Sequence, residues 1–239
     1  HTRTASRVAY ALTVSVWTRL RAKSASIGVM ATELQTCDIG AIEEMDPSIA
    51  DGFRVIYDRE VPFELRVQES ADGPQQVGTL EAIKVKVLML GDDAAPQSVR
   101  VELSSEADLF FHYTHSIDDA SFQVMQEEQK LMVEFQDYPN VLIRMLNNCI
   151  KEPHSHLVVF VMQHDVNARL DFIQNMEYKF VELMSLQYTR SAEDIVQHQI
   201  TYRYNAMKSR LALMQARLQE VNNLVKLKNP SLLLQLQSR

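Results

Sequence analysis

Apolar and polar residues alternate along several segments of the chain, which is the pattern of strands with one buried face. The first segment, FRVIYDREVPFELRV (residues 53–67), predicts a hairpin that turns at residues 58–60, and Pro62 favours an edge strand. EAIKVKVLML (81–90) and VRVEL (99–103) predict a second pair of strands joined by the loop GDDAAPQ. HLVVFVMQ (156–163) predicts another strand, and RLDFIQNMEYKFVELMSLQYT (169–189) predicts a hairpin with its tip near residues 175–179.

Between these strands the spacing of apolar residues changes to that of helices. Asp118 or Asp119 is placed to cap a helix through ASFQVMQEEQK (120–130), and LMVEF (131–135) returns to a strand pattern. Pro139 is suited to open the next helix, NVLIRMLNNCI (140–150), whose apolar face comprises Leu142, Met145, Leu146 and Cys149. Residues 53–190 are therefore predicted to form an α+β head in which two helices are inserted among strands.

The residues before the head show no sustained periodicity. Residues 1–29 carry five basic residues and no acidic one, as an organelle presequence does, but a disordered leader or an initiator at Met30 explains them more simply. Residues 31–52 are acidic and end in Pro and Gly signals, which is typical of a linker. We therefore assign residues 1–52 to a disordered leader and linker.

Beyond Ser191 the chain lacks Gly and Pro until Pro230, and its apolar residues follow a seven-residue repeat. This repeat predicts a stalk, residues 191–229, that self-associates as a coiled coil, with residues 230–239 as a tail. An amphipathic helix folded back on the head is the alternative. The predicted dimer interface contains Ile200, Tyr204, Met207, Leu211, Met214, Leu218, Val221 and Val225.

The positions that flank this interface are basic. Arg203, Arg210 and Arg217 occupy g positions and Lys208 an e position, and the one acidic residue between 197 and 228 is Glu220. In a parallel dimer Arg203 faces Lys208 of the other helix, so like charges oppose each other. We therefore expect a weak stalk dimer that is helped by contacts between heads or by an acidic partner, such as a tubulin tail.

Composition narrows the functional classes. The chain is 46% hydrophobic and 23% charged, and it lacks an apolar run long enough to cross a bilayer, so a membrane protein is not predicted. Its two cysteines, Cys37 and Cys149, are too few for a disulfide framework and favour a reducing compartment. A net charge of −7 argues against general nucleic-acid binding.

Motifs for catalysis or cofactor binding are absent from the sequence, including the phosphate-binding, dinucleotide-binding, nucleophile-elbow and zinc-protease patterns. Cys149, His154 and His156, with His164, form a weak candidate zinc set. In DLFFHYTHSIDDASF (108–122), His112 and His115 have the chemistry of acid–base groups, but histidines beside aromatic residues are more often packed. Phe110 or Phe111, with Phe122, is expected in the core. We predict no enzyme activity, no metal and no cofactor.

Two segments resemble the spindle-assembly-abnormal protein six family, the hub proteins of the centriolar cartwheel. VRVELSSEADLFFHYTHSIDDASFQVMQEEQKLMVEFQDYPNVLIRMLNNC (99–149) is similar to the head motif of that family, with a strand, an acidic turn, paired Phe, a helix, a strand and a Tyr-Pro helix start. VIYDREVPFELRV (55–67) is similar to its first hairpin, so the resemblance extends from residue 53 to about 225.

The resemblance implies an antiparallel β-barrel or sandwich head with a helix-turn-helix insert and two self-association interfaces. One is the parallel coiled coil, and the other is a head–head contact in which a bulky residue at the tip of the 169–189 hairpin enters a pocket of the neighbouring head. By position that residue is Tyr178, with Met176 as alternate, whereas the family usually has Phe or another apolar residue.

The expected function is a non-enzymatic cytoskeletal scaffold. Its short stalk resembles the shorter "like" branch of the family in protists, which implies a flagellar-base, basal-body or apical location as well as a centriole. The alternative is a DNA end-joining scaffold, because those proteins have a similar head and coiled coil.

Overall fold

The structure of the protein, a computed structural model, describes residues 44–68, 78–163 and 166–228. The predicted leader and tail, and His164 of the candidate zinc set, lie outside the described residues. The described chain divides into two units: one is Asp46–Thr201, and the other includes residues 44–45 and 202–228. None of the helices in the described part of the chain is long and apolar enough to cross a membrane.

The first unit is built on a closed barrel of seven strands in the order β1-β2-β3-β4-β7-β6-β5. Neighbouring strands are antiparallel except β1 and β5, which pair in parallel and so close the barrel. The α+β head with a β-barrel is confirmed, with this one parallel pair as a departure from the antiparallel expectation. The strands are β1 Arg54–Gln68, β2 Thr79–Asp92, β3 Ala95–Ser105, β4 His112–Asp118, β5 His156–Gln163, β6 Asn167–Asn175 and β7 Phe180–Arg190.

Three helices complete the described chain: α1 Asp119–Gln129, α2 Tyr138–Lys151 and α3 Glu193–Lys228. Asp118 caps α1 by accepting a 2.9 Å hydrogen bond from the Ser121 backbone amide, as one of the two predicted alternatives required. Pro139 lies in the first turn of α2, where proline loses no helical hydrogen bond. Leu142, Leu146 and Cys149 of α2 are buried in the barrel core.

The predicted first hairpin is wrong, because β1 is a single strand of 15 residues. Asp58 and Glu60 stay within the strand opposite Lys86 and Lys84 of β2, and Lys84 forms a 3.3 Å ion pair with Asp58. Opposite charges facing each other across the two strands stabilise pairing where the sequence alone indicated a turn.

The predicted loop 91–97 is shorter in the structure. β2 continues to Asp92 and β3 begins at Ala95, so only two residues form the turn. Gly91 has a φ of 96°, and a Cβ there would lie 2.8 Å from the Ala95 carbonyl oxygen. Glycine therefore permits a register shift in β2 that the sequence pattern did not reveal.

The predicted strand at residues 131–135 is also wrong. Leu131–Glu134 pair with no strand among the described residues, and Phe135 is the buried residue that anchors the segment. Here the segment packs against α1 through Phe135, whose ring lies 5.5 Å from that of Phe122, and Gln126 Nε2 donates a 2.6 Å hydrogen bond to the Val133 carbonyl. Alternation in so short a run does not distinguish a strand from a packed loop.

Residues 47–52, predicted as linker, form a short 3-10 segment after Asp46. Its Ser48 is only 1% exposed. The Pro and Gly signals mark turns within this segment, where Asp51 and Gly52 have positive φ, and they do not mark the end of packed structure.

Candidate assembly surfaces

The tip of the β6–β7 hairpin presents apolar side chains to solvent. Met176 and Lys179 exchange backbone hydrogen bonds of 2.8 and 3.3 Å, so the intervening Glu177 and Tyr178 form a tight turn. Tyr178 is 90% exposed, and Phe180 is 66% exposed beside it. The hairpin tip therefore places two neighbouring aromatic side chains in solvent.

The base of this hairpin is held in place by the turn before β5. The Asn175 backbone amide donates a 2.8 Å hydrogen bond to the Ser155 carbonyl, and its side-chain amide donates one of 3.2 Å to the His154 carbonyl. These bonds fix where the hairpin tip projects. His154, part of the candidate zinc set, therefore supports the hairpin through its backbone carbonyl.

A cavity of about 40 Å³ lies near the same hairpin, between α2 and strands β5, β6 and β7. This is close to the space of one water molecule, so a tyrosine ring enters only if the lining side chains move. Flexible Met145 and half-exposed Leu183 are the lining residues best able to do so. The other lining residues are Asn148, Cys149, His156, Leu157, Phe172 and Ile173.

Helix α3 carries the predicted stalk interface. Its central positions are exposed although they are apolar: Tyr204 65%, Met207 67%, Leu211 56%, Met214 65%, Leu218 62% and Val221 54%. Ile200 and Val225, at the two ends, are partly buried. A row of exposed large apolar residues is typical of an interaction surface, so this stripe stays a candidate dimer interface.

The first turns of α3 are joined to the barrel through a buried polar cluster that the sequence did not predict. Ser48 Oγ donates a 2.6 Å hydrogen bond to Glu102 Oε2 and accepts bonds from Gln199 Nε2 at 2.9 Å and Lys86 Nζ at 3.0 Å. Lys86 also contacts Asp46 at 2.5 Å. Burial raises the pKa of Glu102, although the Ser48 hydrogen bond and the Lys86 charge oppose this.

The histidines of the 108–122 stretch are structural in position. His112 Nδ1 lies 2.8 Å from Ser191 Oγ, and His115 Nδ1 lies 2.7 Å from the Gln187 carbonyl oxygen. Burial lowers the pKa of His115, so the imidazole is neutral and donates from Nδ1 to that carbonyl. Phe111 is buried and Phe110 is 60% exposed, which resolves the two alternatives for the core.

The weak zinc candidate is not assembled as a metal site in the described part of the chain, where no group of three ligating side chains converges. Cys149 is buried, and desolvation raises the pKa of its thiol to about 12. His156 Nδ1 instead lies 3.8 Å from Oε2 of Glu152, four residues earlier at the end of α2.

Comparison with known proteins settles the family. The protein-family model described as the centriolar protein SAS N-terminal domain matches residues 55–188, which is more than half of the chain. The chain belongs to this family. It is 27% identical over 109 residues to a spindle assembly abnormal protein 6 homolog of Gallus gallus, and 30% identical over 94 residues to that of Xenopus laevis. These matches cover 46% and 36% of the chain but only 16% and 14% of the relatives.

Solved structures of SAS-6 fragments share the fold. A mutant N-terminal fragment of Leishmania SAS-6 that contains parts of its coiled coil aligns with a TM-score of 0.63 at 16% identity, over 75% of this chain and 98% of that one. The N-terminal coiled-coil dimer of C. elegans SAS-6 aligns with a TM-score of 0.53 at 14% identity, over 72% and 98%. The barrel followed by a helix is thus a SAS-6-type fold.

Proposed function

We propose that the protein is a structural scaffold, not an enzyme, which polymerises through two homotypic interfaces in a centriole-related structure. One interface joins heads through the β6–β7 hairpin, and the other joins stalks through the apolar stripe of α3. The observation that carries the proposal is the Tyr178 side chain, 90% exposed at the tip of a hydrogen-bonded hairpin. Two interfaces on one chain link each copy to two neighbours and so give rings or filaments.

The head–head contact is proposed as isologous, because the hairpin tip and the small cavity lie on the same elements. Each head then inserts Tyr178 into the partner's cavity and receives the partner's ring in return. Met176 and Phe180 widen the apolar area around the ring, at 48% and 66% exposure. The phenolic hydroxyl requires a polar partner in the contact, and Asn148 or His156 in the cavity lining provides one.

The sequence reasoning selected Tyr178 and Met176 but missed Phe180. A signal for it was present, since Phe180 is a second aromatic residue two positions after Tyr178, beside the predicted hairpin tip. Phe180 pairs with Asn175 at the last position of the β6–β7 ladder. We propose that Phe180 contributes to the contact as fully as Met176.

The stalk interface is proposed as a parallel coiled coil. Its basic flanks also fit an acidic protein surface, such as a tubulin tail, as a further cytoskeletal partner. The proposed locations are the centriole or basal body, with the flagellar base or an apical structure as the more specific expectation from the short stalk.

Sedimentation of the full chain tests the head contact, once the stalk interface has been removed by Leu211→Glu with Leu218→Glu. We expect this chain to self-associate through its heads, and Tyr178→Glu to weaken that association at least 30-fold, about 2 kcal/mol, because it buries an unpaired carboxylate. Tyr178→Phe is expected to retain the contact. Leu80→Glu, at another exposed apolar residue, serves as the matched control. Equal association of the Tyr178→Glu and control chains refutes the proposed insertion of Tyr178 into the neighbouring head.

A further inference from the structure

Charge is divided sharply along this chain. Residues 44–196 contain 27 acidic and 12 basic residues, whereas residues 197–228 contain one acidic and six basic residues. Residues 44–196 therefore have a net charge of −15, and residues 197–228 have a net charge of +5. Every copy in an assembly carries both signs, which favours contacts between unlike regions of different copies.

The acidic part has an open groove that the proposed head contact does not use. It lies between the 131–134 loop and the exposed face of α2, has a volume of about 630 Å³, and is lined by Met132, Val133, Glu134, Asp137, Asn140, Val141 and Arg144. Met132 is 98% exposed, the highest value among the large apolar side chains of the described residues. Apolar and charged side chains share this lining, which suits a partner that offers both kinds of contact.

The two carboxylates of this groove are available for binding. Asp137 precedes α2 but makes no capping hydrogen bond with its side chain. Within the described ranges neither Glu134 nor Asp137 forms an ion pair, and both are exposed. Arg144, the one cation in the lining, lies two helical turns beyond Asp137, about 10 Å along the axis.

The stalk offers a row of arginines with complementary chemistry. Arg210 and Arg217 are exposed on one flank of α3, with Lys208 exposed on the other side of the apolar stripe. Arg210 and Arg217 are seven residues apart, which is about 10.5 Å along the helix. A guanidinium pairs with a carboxylate through two hydrogen bonds, while the aliphatic part of arginine packs on apolar groups such as Met132 and Val141.

We infer that this groove, with Glu134 and Asp137 on its rim, binds the Arg210–Arg217 flank of the stalk of a second copy. This third contact joins assemblies laterally and rests on the proposed scaffold function. It leaves the apolar stripe of the stalk in its dimer and the Tyr178 hairpin in the head contact. It also offsets the repulsion between basic flanks in the stalk dimer, because the partner brings acidic groups.

The test is a charge swap in the full chain carrying Tyr178→Glu, which separates this contact from the head contact. Light scattering at low salt is expected to show species larger than the stalk dimer. Glu134→Lys with Asp137→Lys should remove them, Arg210→Glu with Arg217→Glu should remove them as well, and the four substitutions together should restore them. Raising the salt to 0.5 M should dissociate them, since exposed ion pairs are screened.

Controls keep the outcome specific. Glu127→Lys with Glu128→Lys makes the same change of charge on the neighbouring helix and should leave the large species intact; equal loss there means that net charge alone acts. If the groove variants sediment like their parent, or if the swap fails to restore assembly, the inference is overturned. Loss of microtubule co-sedimentation in the arginine variants, without any effect of the groove variants on assembly, assigns the flank to tubulin instead and also overturns it.

A different result would refute the proposed function. That result is unchanged association between heads when Tyr178→Glu is added to the chain with Leu211→Glu and Leu218→Glu. Thermal unfolding of each variant checks that the fold is kept, and the substituted side chains are exposed, so unchanged unfolding temperatures are expected.

Discussion

Gln199 in the second turn of α3 donates a 2.9 Å hydrogen bond to Ser48, 151 positions earlier in the chain. Both residues are buried, and the Ser48 hydroxyl donates a hydrogen bond to Glu102 in β3. The start of the last helix is thus tied to the segment that precedes the first strand. A buried carboxylate depends on these donors, because desolvation disfavours its charge.

Ser48→Ala is therefore expected to lower the free energy of unfolding by about 1–3 kcal/mol, because Glu102 loses its hydroxyl donor in a buried site. Urea denaturation measures it, with Ser116→Ala at an exposed strand position as the control. Adding Glu102→Gln to Ser48→Ala should recover part of the loss, since a neutral amide is cheaper to bury. A Ser48→Ala chain as stable as the control contradicts the role of the cluster.

Gln199→Ala should act locally. Hydrogen exchange of the amides of residues 193–201 is expected to accelerate more than that of β3, because this side chain joins the first turns of α3 to the barrel. Gln197→Ala, two residues away and exposed, provides the comparison. Equal exchange in the two variants shows that Gln199 does not anchor the helix.

Two buried groups give the stability opposite dependences on pH. The pKa of His115 is lowered below its usual 6.5 by burial, so as the pH falls below about 6.5 the unfolded chain takes up protons first and the free energy of unfolding decreases. The pKa of Glu102 is raised above 4.5 by burial, so the folded chain takes up that proton first and the free energy of unfolding increases as the pH falls through the raised value.

Chemical denaturation between pH 4.5 and 7.5 separates the two effects. His115→Gln is expected to remove the loss of stability below pH 6.5 and to leave the Glu102 contribution in place. Glu102→Gln is expected to remove the gain of stability at falling pH and to leave the His115 contribution in place. His198→Gln, at an exposed histidine, is the matched control substitution. A profile of His115→Gln parallel to that of the unsubstituted chain shows that His115 does not titrate differently on folding.

Two buried tyrosines are expected to respond differently to loss of the hydroxyl. Within the described part of the chain, Tyr188 Oη is buried without a hydrogen-bond partner, whereas Tyr138 Oη lies 3.4 Å from His115 Nε2. Tyr188→Phe should be neutral or stabilising by about 1 kcal/mol, and Tyr138→Phe should be destabilising by a similar amount. Thermal unfolding of the pair checks the prediction, which a destabilised Tyr188→Phe chain contradicts.

Periodicity predicted most of the elements, because burying one face of a strand or helix requires apolar residues at regular intervals. These intervals are kept over many residues in the β5 strand at 156–163, in the β6–β7 hairpin and in the helix after Ser191. The hairpin predicted at 58–60 failed because the charges of Asp58 and Glu60 are balanced by lysines of β2, a neighbour that is distant in sequence. The strand predicted at 131–135 failed because Phe135 packs against Phe122 of α1 while Met132 is exposed, so the segment has no buried sheet face.

Some of the candidate surfaces could be predicted from the sequence and others could not. The seven-residue repeat predicted the apolar stripe of the stalk, and the resemblance to a family predicted the position of the hairpin tip. Neither route identifies Ser48 as the centre of a buried cluster, since a serine after proline is typical of a turn. The groove residues Glu134 and Asp137 read as ordinary exposed acids until α2 and the 131–134 loop are placed side by side.

Gln129 links α1 to β7 in the manner of a neighbouring strand. Its side-chain amide donates a 2.7 Å hydrogen bond to the Ser185 carbonyl and accepts one of 2.9 Å from the Ser185 amide. β4 and β7 share just two residue pairs, Tyr113 with Arg190 and Thr114 with Thr189, so this part of β7 relies on α1. Gln129→Ala leaves both Ser185 backbone groups without these bonds and should cost about 1–3 kcal/mol.

Gln129→Glu distinguishes the two bonds, because a carboxylate still accepts from the Ser185 amide but no longer donates to its carbonyl. We therefore expect this variant to retain more exchange protection of the Ser185 amide than Gln129→Ala, while both lower the free energy of unfolding. Gln123→Ala, which loses only an exposed 3.2 Å bond to Asp119, is the control. Unchanged Ser185 exchange in Gln129→Ala indicates that other groups close the barrel between β4 and β7.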